Sequence, residues 1–226
     1  MTTLFGLRHP KTDLAVLVAD RQTTSTDLRT GFPIGKQLGR KLWVSKEGNY
    51  CLGHSGLRDN QTEDFIGNIL EGRYNISEII QQEKFEELRD LNIQRMGYEM
   101  PNPERLSSFL IATRFDNNPK LYTCFPLGKV EERSLVAIGS GSQRVNEYMN
   151  ALDIISEAKD YLPNGKGIEP RGLIQIGLEA VRRAQGKDVY SHGLDMMVCA
   201  PEGIIDHSLD LGDDFGKKLR KIQKQY

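Results

Sequence analysis

The sequence has no large excess of either charge, since 30 basic residues stand against 31 acidic ones and the formal net charge is -1. It contains no long run of like charges before the basic tail at residues 217–221, which argues against nucleic acid as its main partner. No apolar run approaches the roughly 18 residues of a membrane-spanning helix, and no secretory signal opens the chain. These absences favour a cytoplasmic protein with neither nucleic acid nor membrane as a partner.

Cysteine and histidine are also scarce, with three and four residues respectively. Cys51, Cys124 and Cys199 lie far apart and lack Cys-x-x-Cys spacing, which indicates buried, reduced thiols. No histidine has a partner at the spacing of metal ligands, so the sequence predicts no metal site and indicates no cofactor. The glycine-flanked His54 and His192 are predicted to be ordinary surface or loop residues, with a modulating role at the polar clusters as the alternative.

The 226 residues show no internal break in composition, so we expect one domain spanning residues 1–226. Predicted strands lie at 4–7, 14–19, 39–44, 49–52, 107–114, 120–125, 135–138, 194–200 and 204–205, and predicted helices at 65–70, 76–96, 145–155 and from 170 onward. Residues 25–39 form a polar connection, and 53–56 are predicted to be a turn. The order of elements favours an α+β architecture in which two sheets lie between helical layers.

Polar clusters follow several predicted strands and helices, at the kind of position where functional residues are common. They are Asp20, Lys41, residues 139–142 and residues 188–191. Each has an ordinary structural explanation, such as an ion pair between Asp20 and Arg21 or an exposed cation at Lys41. The segment 139–142 lacks the Gly-Lys-Ser/Thr ending of a phosphate-binding loop, so nucleotide binding is not indicated.

The beginning of the chain offers a nucleophile. Methionine before a small residue is normally trimmed, and removal of Met1 would make Thr2 the first residue. An N-terminal threonine carries a hydroxyl nucleophile and, on the same residue, an amine of pKa about 8 that can act as its general base. No histidine is then required. The alternative is an exposed terminus without a function. The choice between the two depends on motifs elsewhere in the chain.

Several motifs occur in an order that resembles the proteasome β-subunit superfamily, the threonine peptidases of the N-terminal nucleophile class. They are Thr2-Thr3-x-x-Gly6, Val18-Ala-Asp20-Arg21, Gly39-Arg-Lys41-Leu-Trp43, Leu52-Gly53-x-Ser55-Gly56, Ala137-Ile-Gly-Ser-Gly-Ser142, Asp188-Val-Tyr-Ser191-x-Gly193 and Asp195-Met-Met-Val198. The resemblance, which is to β-like homologues of bacterial or archaeal type, implies an N-terminal nucleophile hydrolase fold. That fold is a four-layer αββα sandwich of two antiparallel sheets flanked by helix pairs.

The resemblance also implies roles for individual residues. Thr2 would attack the scissile carbonyl, and the charge of Lys41 would lower the pKa of its hydroxyl and amine. Asp20 would hold that lysine charged and oriented. Gly53 would donate a backbone N–H to the oxyanion.

Two further groups follow from the same resemblance. The residues that would fix the terminal amine are Ser140, Asp188 and Ser191, and those that would surround the first specificity pocket are Thr23, Gly39, Trp43, Cys51 and Ser55. The chain departs from the family pattern in three ways. Gln22 replaces a common arginine, His192 replaces a usual glycine, and the connection between Asp20 and Lys41 is long.

The function implied is a threonine-type endopeptidase subunit of a self-compartmentalising, proteasome-like particle that hydrolyses unfolded polypeptide. Its expected partners are further copies of the chain in stacked rings, the polypeptide substrate and an unfoldase or ring activator. The apolar helix faces at 65–70 and 145–155 are candidates for contacts between subunits, with the core as the default. A threonine-dependent transpeptidase or ligase of the same fold and a catalytically silent scaffold subunit are the alternatives.

Overall fold

The computed structural model describes residues 3–9, 13–26, 33–96, 106–115, 118–151, 170–185 and 194–207. At residues 9, 22–26, 33–38, 151, 170, 171 and 185 it describes the backbone alone. Within these ranges the chain has a mixed α+β structure, with two five-stranded antiparallel sheets, a two-stranded ribbon and five α-helices. None of the described helices has both the length and the apolar character needed to cross a membrane.

The strands and helices follow one another in groups along the chain. The strands are β1 (Leu4–His9), β2 (Leu14–Asp20), β3 (Gln22–Thr26), β4 (Pro33–Leu38), β5 (Leu42–Val44), β6 (Tyr50–Ser55), β7 (Ser108–Thr113), β8 (Lys120–Cys124), β9 (Val130–Glu132), β10 (Leu135–Ile138), β11 (Leu194–Ala200) and β12 (Gly203–Asp206). The helices are α1 (Asn60–Leu70), α2 (Ile76–Gln81), α3 (Glu86–Met96), α4 (Ser142–Ala151) and α5 (Pro170–Gln185).

The first sheet has the order β10-β1-β2-β11-β12. Every residue of β2 is buried, as its unbroken apolar run predicts for a strand covered on both faces. Leu4 lies opposite both Ala19 of β2 and Ile138 of β10, and Leu194 of β11 lies opposite Asp20. This register brings the start of β1, the end of β2 and the start of β11 together at the same end of the sheet.

The second sheet has the order β5-β6-β7-β8-β9. The prediction of a turn at 53–56 was wrong for most of that segment, because β6 continues in extended conformation through Ser55 and pairs with β7 as far as Ser108. The chain turns only at Gly56, whose φ of 130° suits glycine. An added Cβ there would overlap the carbonyl oxygen of Leu106.

Three buried apolar clusters alternate with the two sheets. Side chains of β2 point alternately to the two faces of the first sheet. Val16 and Val18 pack with α4 and α5 on the outer face, whereas Leu17 packs in the cluster between the sheets. A third cluster joins the outer face of the second sheet to the helices α1 to α3, with Phe65 and Phe85 near its centre. This layering is compatible with a sandwich of two sheets with helices on both outer faces.

The apolar helix faces considered for contacts between subunits contribute to this protein's own core. Phe65, Ile66 and Ile69 of α1 are buried in the third cluster, and Val145 and Met149 of α4 are buried in the first. Burial against the sheets explains their helical spacing.

The continuous helix predicted at 76–96 is broken in the structure. α2 ends at Gln81, Glu83 has a φ of 54°, and α3 begins only at Glu86. Lys84 forms an isolated bridge with Lys129, and Phe85 is fully buried. Burying this phenylalanine at the break outweighs the helical propensity of the segment, which periodicity alone does not detect.

Two further strand regions are absent from the sequence prediction. Residues 25–39, expected as a polar connection, include the end of β3 and all of β4, which pair as an antiparallel ribbon with Gln22 opposite Leu38. The short edge strand β9 pairs with β8 through Val130 opposite Cys124. Both lack a clear alternation of apolar and polar residues over four or more positions, which is the usual signal of a strand.

Candidate active site

Three residues from different strand ends meet in the candidate site. Thr3 precedes β1, Asp20 ends β2, and Lys41 precedes β5. Asp20 Oδ1 accepts the Thr3 N–H at 2.6 Å and a hydrogen bond from Lys41 Nζ at 2.8 Å. The Asp20 N–H in turn donates to the Thr3 carbonyl at 3.1 Å. Only 5% of the Lys41 side chain and 2% of the Asp20 side chain are exposed. The pair is therefore a buried, hydrogen-bonded ion pair that joins the two sheets.

Burial shifts both titratable groups of this pair towards their neutral forms. It raises the pKa of the Asp20 carboxyl, while the Lys41 charge and the Thr3 N–H act in the opposite direction. It lowers the pKa of the Lys41 ammonium, and the carboxylates of Asp20 and Asp195 oppose that change. Shifts of this kind, produced by burial together with a specific charged partner, are typical of functional sites and also occur in structural ion pairs.

A second buried carboxylate, Asp195 of β11, lies beside the pair. Its Oδ2 accepts the backbone N–H of Lys41 at 2.9 Å, and its Oδ1 accepts a hydrogen bond from Arg21 Nε at 2.7 Å. The sequence allowed an ordinary ion pair between Asp20 and Arg21. In the structure, Asp20 pairs with Lys41 and Arg21 pairs with Asp195. Neighbouring residues of an extended chain point to opposite sides, which separates the Asp20 and Arg21 side chains.

The turn after β10 packs against Thr3. A Cβ added to Gly141 would overlap Thr3 Oγ1 and lie 3.0 Å from Thr3 Cβ, so only glycine fits without a displacement. Thr3 Oγ1 is buried and has no hydrogen-bond partner among the residues that the structure describes. The neighbouring Ser140, a predicted site residue, is exposed.

The remaining predicted site residues are only partly covered by the structure. Thr2, Asp188 and Ser191 lie outside the described residues, and Thr23 is described by its backbone in β3 alone. Gly39 follows β4, and its N–H donates to the Arg21 carbonyl at 2.8 Å.

The predicted specificity pocket is not assembled as expected, because Trp43 and Cys51 lie on opposite faces of the second sheet. Cys51 is fully buried in the cluster between the sheets. Trp43 packs against the outer cluster, and the Arg58 guanidinium lies 5.4 Å from the centre of its ring. The cause is strand alternation, which turns Leu42 inward and Trp43 outward. Ser55, the last residue of β6, is buried as well.

Gly53, the predicted oxyanion donor, lies inside the second sheet between β5 and β7. Across the β5–β6 pair, the backbone N–H of Ser45 donates to the Tyr50 carbonyl and the backbone N–H of His54 donates to the Lys41 carbonyl. Successive N–H groups of a strand point to opposite sides, so the N–H of Gly53, the residue before His54, points to β7. This pairing within the sheet does not favour Gly53 as a free donor. Its lack of a side chain instead leaves room for Leu4 between the sheets.

A buried polar network connects this end of the second sheet with two helices. The backbone N–H of His54 donates to the Lys41 carbonyl at 3.1 Å, and the ring nitrogen His54 Nε2 lies 3.1 Å from Ser107 Oγ. Arg95 Nη1 of α3 donates to the same Ser107 Oγ at 2.8 Å, and Arg95 Nη2 donates to Asp59, the N-cap of α1, at 2.6 Å. The prediction of His54 as a loop residue was wrong, because β6 extends beyond the glycine that precedes it.

We expect His54 to make the protein less stable in mild acid. Burial lowers the pKa of His54 to about 3, from an ordinary value of 6.5. A lowered folded-state pKa means that the stabilising contribution is complete above about pH 6.5 and is lost as the pH falls towards 3, at about 1.4 kcal/mol per pH unit. Urea unfolding of wild type and His54→Gln between pH 7 and pH 4 should show the steeper loss in wild type. Equal slopes would contradict the buried, neutral state of this histidine.

The comparisons with known proteins add no assignment. No protein-family model matches the sequence, and no curated protein is significantly similar to it. In the part of the chain that the structure describes, no group of three or more His, Cys, Asp or Glu side chains is arranged to hold a metal ion. The observations that bear on function are therefore the geometry around Asp20 and the order of the motifs.

Three features of this site were not predicted from the sequence: the hydrogen bonds of Asp195, the pairing of Arg21 with it, and the close contact of Gly141 with Thr3. A signal for the first was available, since Asp195 interrupts the otherwise apolar strand β11. A carboxylate within a fully buried strand requires a partner to offset its desolvation.

Proposed function

We propose that the chain is a threonine-type endopeptidase subunit of the N-terminal nucleophile class, folded as the four-layer αββα sandwich of that class. Thr2 is its nucleophile once whatever precedes Thr2 has been removed. The observation that carries this proposal is the position of Asp20, which accepts hydrogen bonds from both the Thr3 N–H and Lys41 Nζ. Thr2 is bonded directly to the Thr3 nitrogen, and we infer that the lysine charge acts on the hydroxyl and the amine that Thr2 supplies.

The chemistry follows from the groups of an N-terminal threonine. The Thr2 hydroxyl oxygen attacks the scissile carbonyl carbon, and its proton passes to the Thr2 amine, directly or through water. Collapse of the tetrahedral intermediate breaks the C–N bond, and the leaving amine takes that proton. Water then hydrolyses the ester and restores the hydroxyl. The positive charge of Lys41 favours the deprotonated hydroxyl and the neutral amine at neutral pH.

The second threonine is a poor candidate for the same role. The Thr3 nitrogen is a backbone amide that donates to Asp20, so it is not a basic amine. Its hydroxyl is buried against Gly141 and is not accessible to a polypeptide substrate. This difference supports Thr2 as the nucleophile, with Thr3 as the residue that anchors it.

The quaternary part of the proposal follows from the sequence resemblance. Copies of the chain would form stacked rings that enclose the sites, with unfolded polypeptide as the substrate and an unfoldase or ring activator controlling entry. Enclosure in such a chamber would restrict cleavage to chains that are already unfolded.

The proposed activity is tested with an unfolded protein substrate and mass spectrometry of the products. Wild type should produce peptides with new N-termini, and Thr2→Ala should lose this activity while keeping the thermal unfolding midpoint of the wild type. Repeating the reaction with an added amine acceptor separates hydrolysis from ligation, because a transpeptidase transfers the acyl group to the amine. Cleavage at the wild-type rate by Thr2→Ala, or no cleavage by wild type, would contradict the proposal.

A further inference from the structure

Asp195 has an unusual position for a carboxylate. Every residue of β11 is buried, and Asp195 itself is 0% exposed. Its register places it opposite Ala19, so it is held on the strand adjacent to the one that ends in Asp20. Burying a carboxylate costs several kcal/mol, and removing its partners usually costs stability as well. A carboxylate in this position therefore requires strong and specific partners.

The two oxygens of Asp195 serve two different parts of the candidate site. Oδ2 accepts the backbone N–H of Lys41, and Oδ1 accepts a hydrogen bond from Arg21, the residue directly after Asp20. Hydrogen bonds to an ionised acceptor are shorter and stronger than those between neutral groups. Asp195 consequently connects the chain at the end of β2 with the chain at the entrance of β5, the two segments that supply the Asp20–Lys41 pair.

We propose that Asp195, held by Arg21, is a positioning residue that fixes the backbone of Lys41 and so directs its ammonium at Asp20 and the nucleophile. This inference depends on the proposed function, because it assigns a role within the same site. Lys41 precedes β5 and extends from the second sheet to the first, so its position depends on this contact between the sheets. In enzymes, a displacement of about 1 Å in such a group can cost on the order of 10²-fold in rate.

Asp195 also affects the protonation of Lys41. The charged and titratable groups described around Lys41 are Asp20 from β2, Asp195 from β11, Arg58 ahead of α1 and His54 from β6. The two carboxylates raise the pKa of Lys41, whereas burial and Arg58 lower it. Removing the charge of Asp195 should therefore lower the pKa of Lys41. Removing Arg21, which partly neutralises Asp195, should raise it.

The test measures the titration of Lys41 directly and the reaction rate separately. Protein labelled with ¹³C at lysine Cε, with the Lys41 signal assigned through Lys41→Met, is titrated by NMR as wild type, Asp195→Asn and Arg21→Gln. The expected midpoints lie below wild type for Asp195→Asn and above it for Arg21→Gln. Asp206→Asn is the matched control, because Asp206 pairs with Arg40 next to Lys41 but is exposed. Its midpoint should equal that of wild type.

The same proteins are then treated with an epoxyketone, and the rate of adduct formation is measured across pH. Asp195→Asn should react about 10²-fold more slowly, with an alkaline limb at lower pH, and Asp206→Asn should react as wild type does. The opposite shift of Arg21→Gln keeps the inference testable if Asp195→Asn fails to fold. Unchanged Lys41 midpoints in both variants, or unchanged adduct rates, would overturn the positioning role. No adduct with wild type would overturn the proposed function, and the positioning role with it, whatever the titration shows.

Discussion

Replacement of Lys41 by methionine is expected to remove activity and to destabilise the protein by about 3 to 5 kcal/mol. The side chain is of similar length, but it leaves the Asp20 carboxylate buried without its counter-charge. The proposed reaction also loses the cation that lowers the pKa of the nucleophile, and we expect a loss in rate at least as large as the roughly 10²- to 10³-fold caused by removing one oxyanion-hole donor in other enzymes. The rate of adduct formation with an epoxyketone and urea unfolding measure the two effects.

Controls separate loss of charge from loss of packing. Lys46→Met removes an exposed cation just beyond the end of β5 and should change neither quantity. The double variant Asp20→Asn/Lys41→Met removes both charges, so it should recover much of the stability but none of the activity. Burial raises the pKa of Asp20, and a raised folded-state pKa favours folding when the group is protonated. The loss of stability in Lys41→Met relative to wild type should therefore be smaller at pH 5 than at pH 8. Full activity of Lys41→Met would exclude Lys41 from the mechanism.

Gly141→Ala is expected to damage the site through a steric effect alone. The added methyl group would overlap the Thr3 hydroxyl, and the Thr3 Cβ is only 3.0 Å away, so Thr3 or the turn has to move. Overpacking of this kind usually costs about 1 to 3 kcal/mol. Any displacement of Thr3 also disturbs its hydrogen bond with Asp20. We expect a lower unfolding free energy and a strongly reduced rate of reaction with the epoxyketone.

Gly67→Ala is the matched control for this substitution. Gly67 lies within α1, and an added Cβ there would have no neighbouring atom within 4 Å. Alanine is favoured over glycine in a helix by about 1 kcal/mol, so this variant should be as stable as wild type or more stable. If Gly141→Ala were as active and as stable as Gly67→Ala, the packing of the 139–142 turn on Thr3 would be excluded.

The fold could be predicted where apolar patterns are long. The unbroken run at 14–19 predicts a strand buried on both faces, and the stripes on α1 and α5 predict helices packed on a sheet. The break at Phe85 and the extension of β6 through Ser55 could not be predicted in this way. Both depend on tertiary burial, which overrides the local helical pattern in one case and the glycine signal in the other.

The same distinction applies to the site. The contact between Asp20 and Lys41 was implied by the resemblance to the proteasome β-subunit superfamily, and the two residues do meet in the structure. The pairing of Arg21 with Asp195 and the opposite orientations of Trp43 and Cys51 depend on strand register and on which face of each strand turns inward. These features are determined only when the sheets assemble, because a shift of one residue in register moves every side chain of a strand to the opposite face.

The most direct test of the central claim is intact-mass spectrometry of the purified protein before and after treatment with an epoxyketone, a reagent that requires both the hydroxyl and the free amine of an N-terminal threonine. We expect a chain that begins at Thr2 and gains one stoichiometric adduct, and no adduct with Thr2→Ala. A chain that keeps Met1 and forms no adduct would contradict this claim and would favour a scaffold subunit.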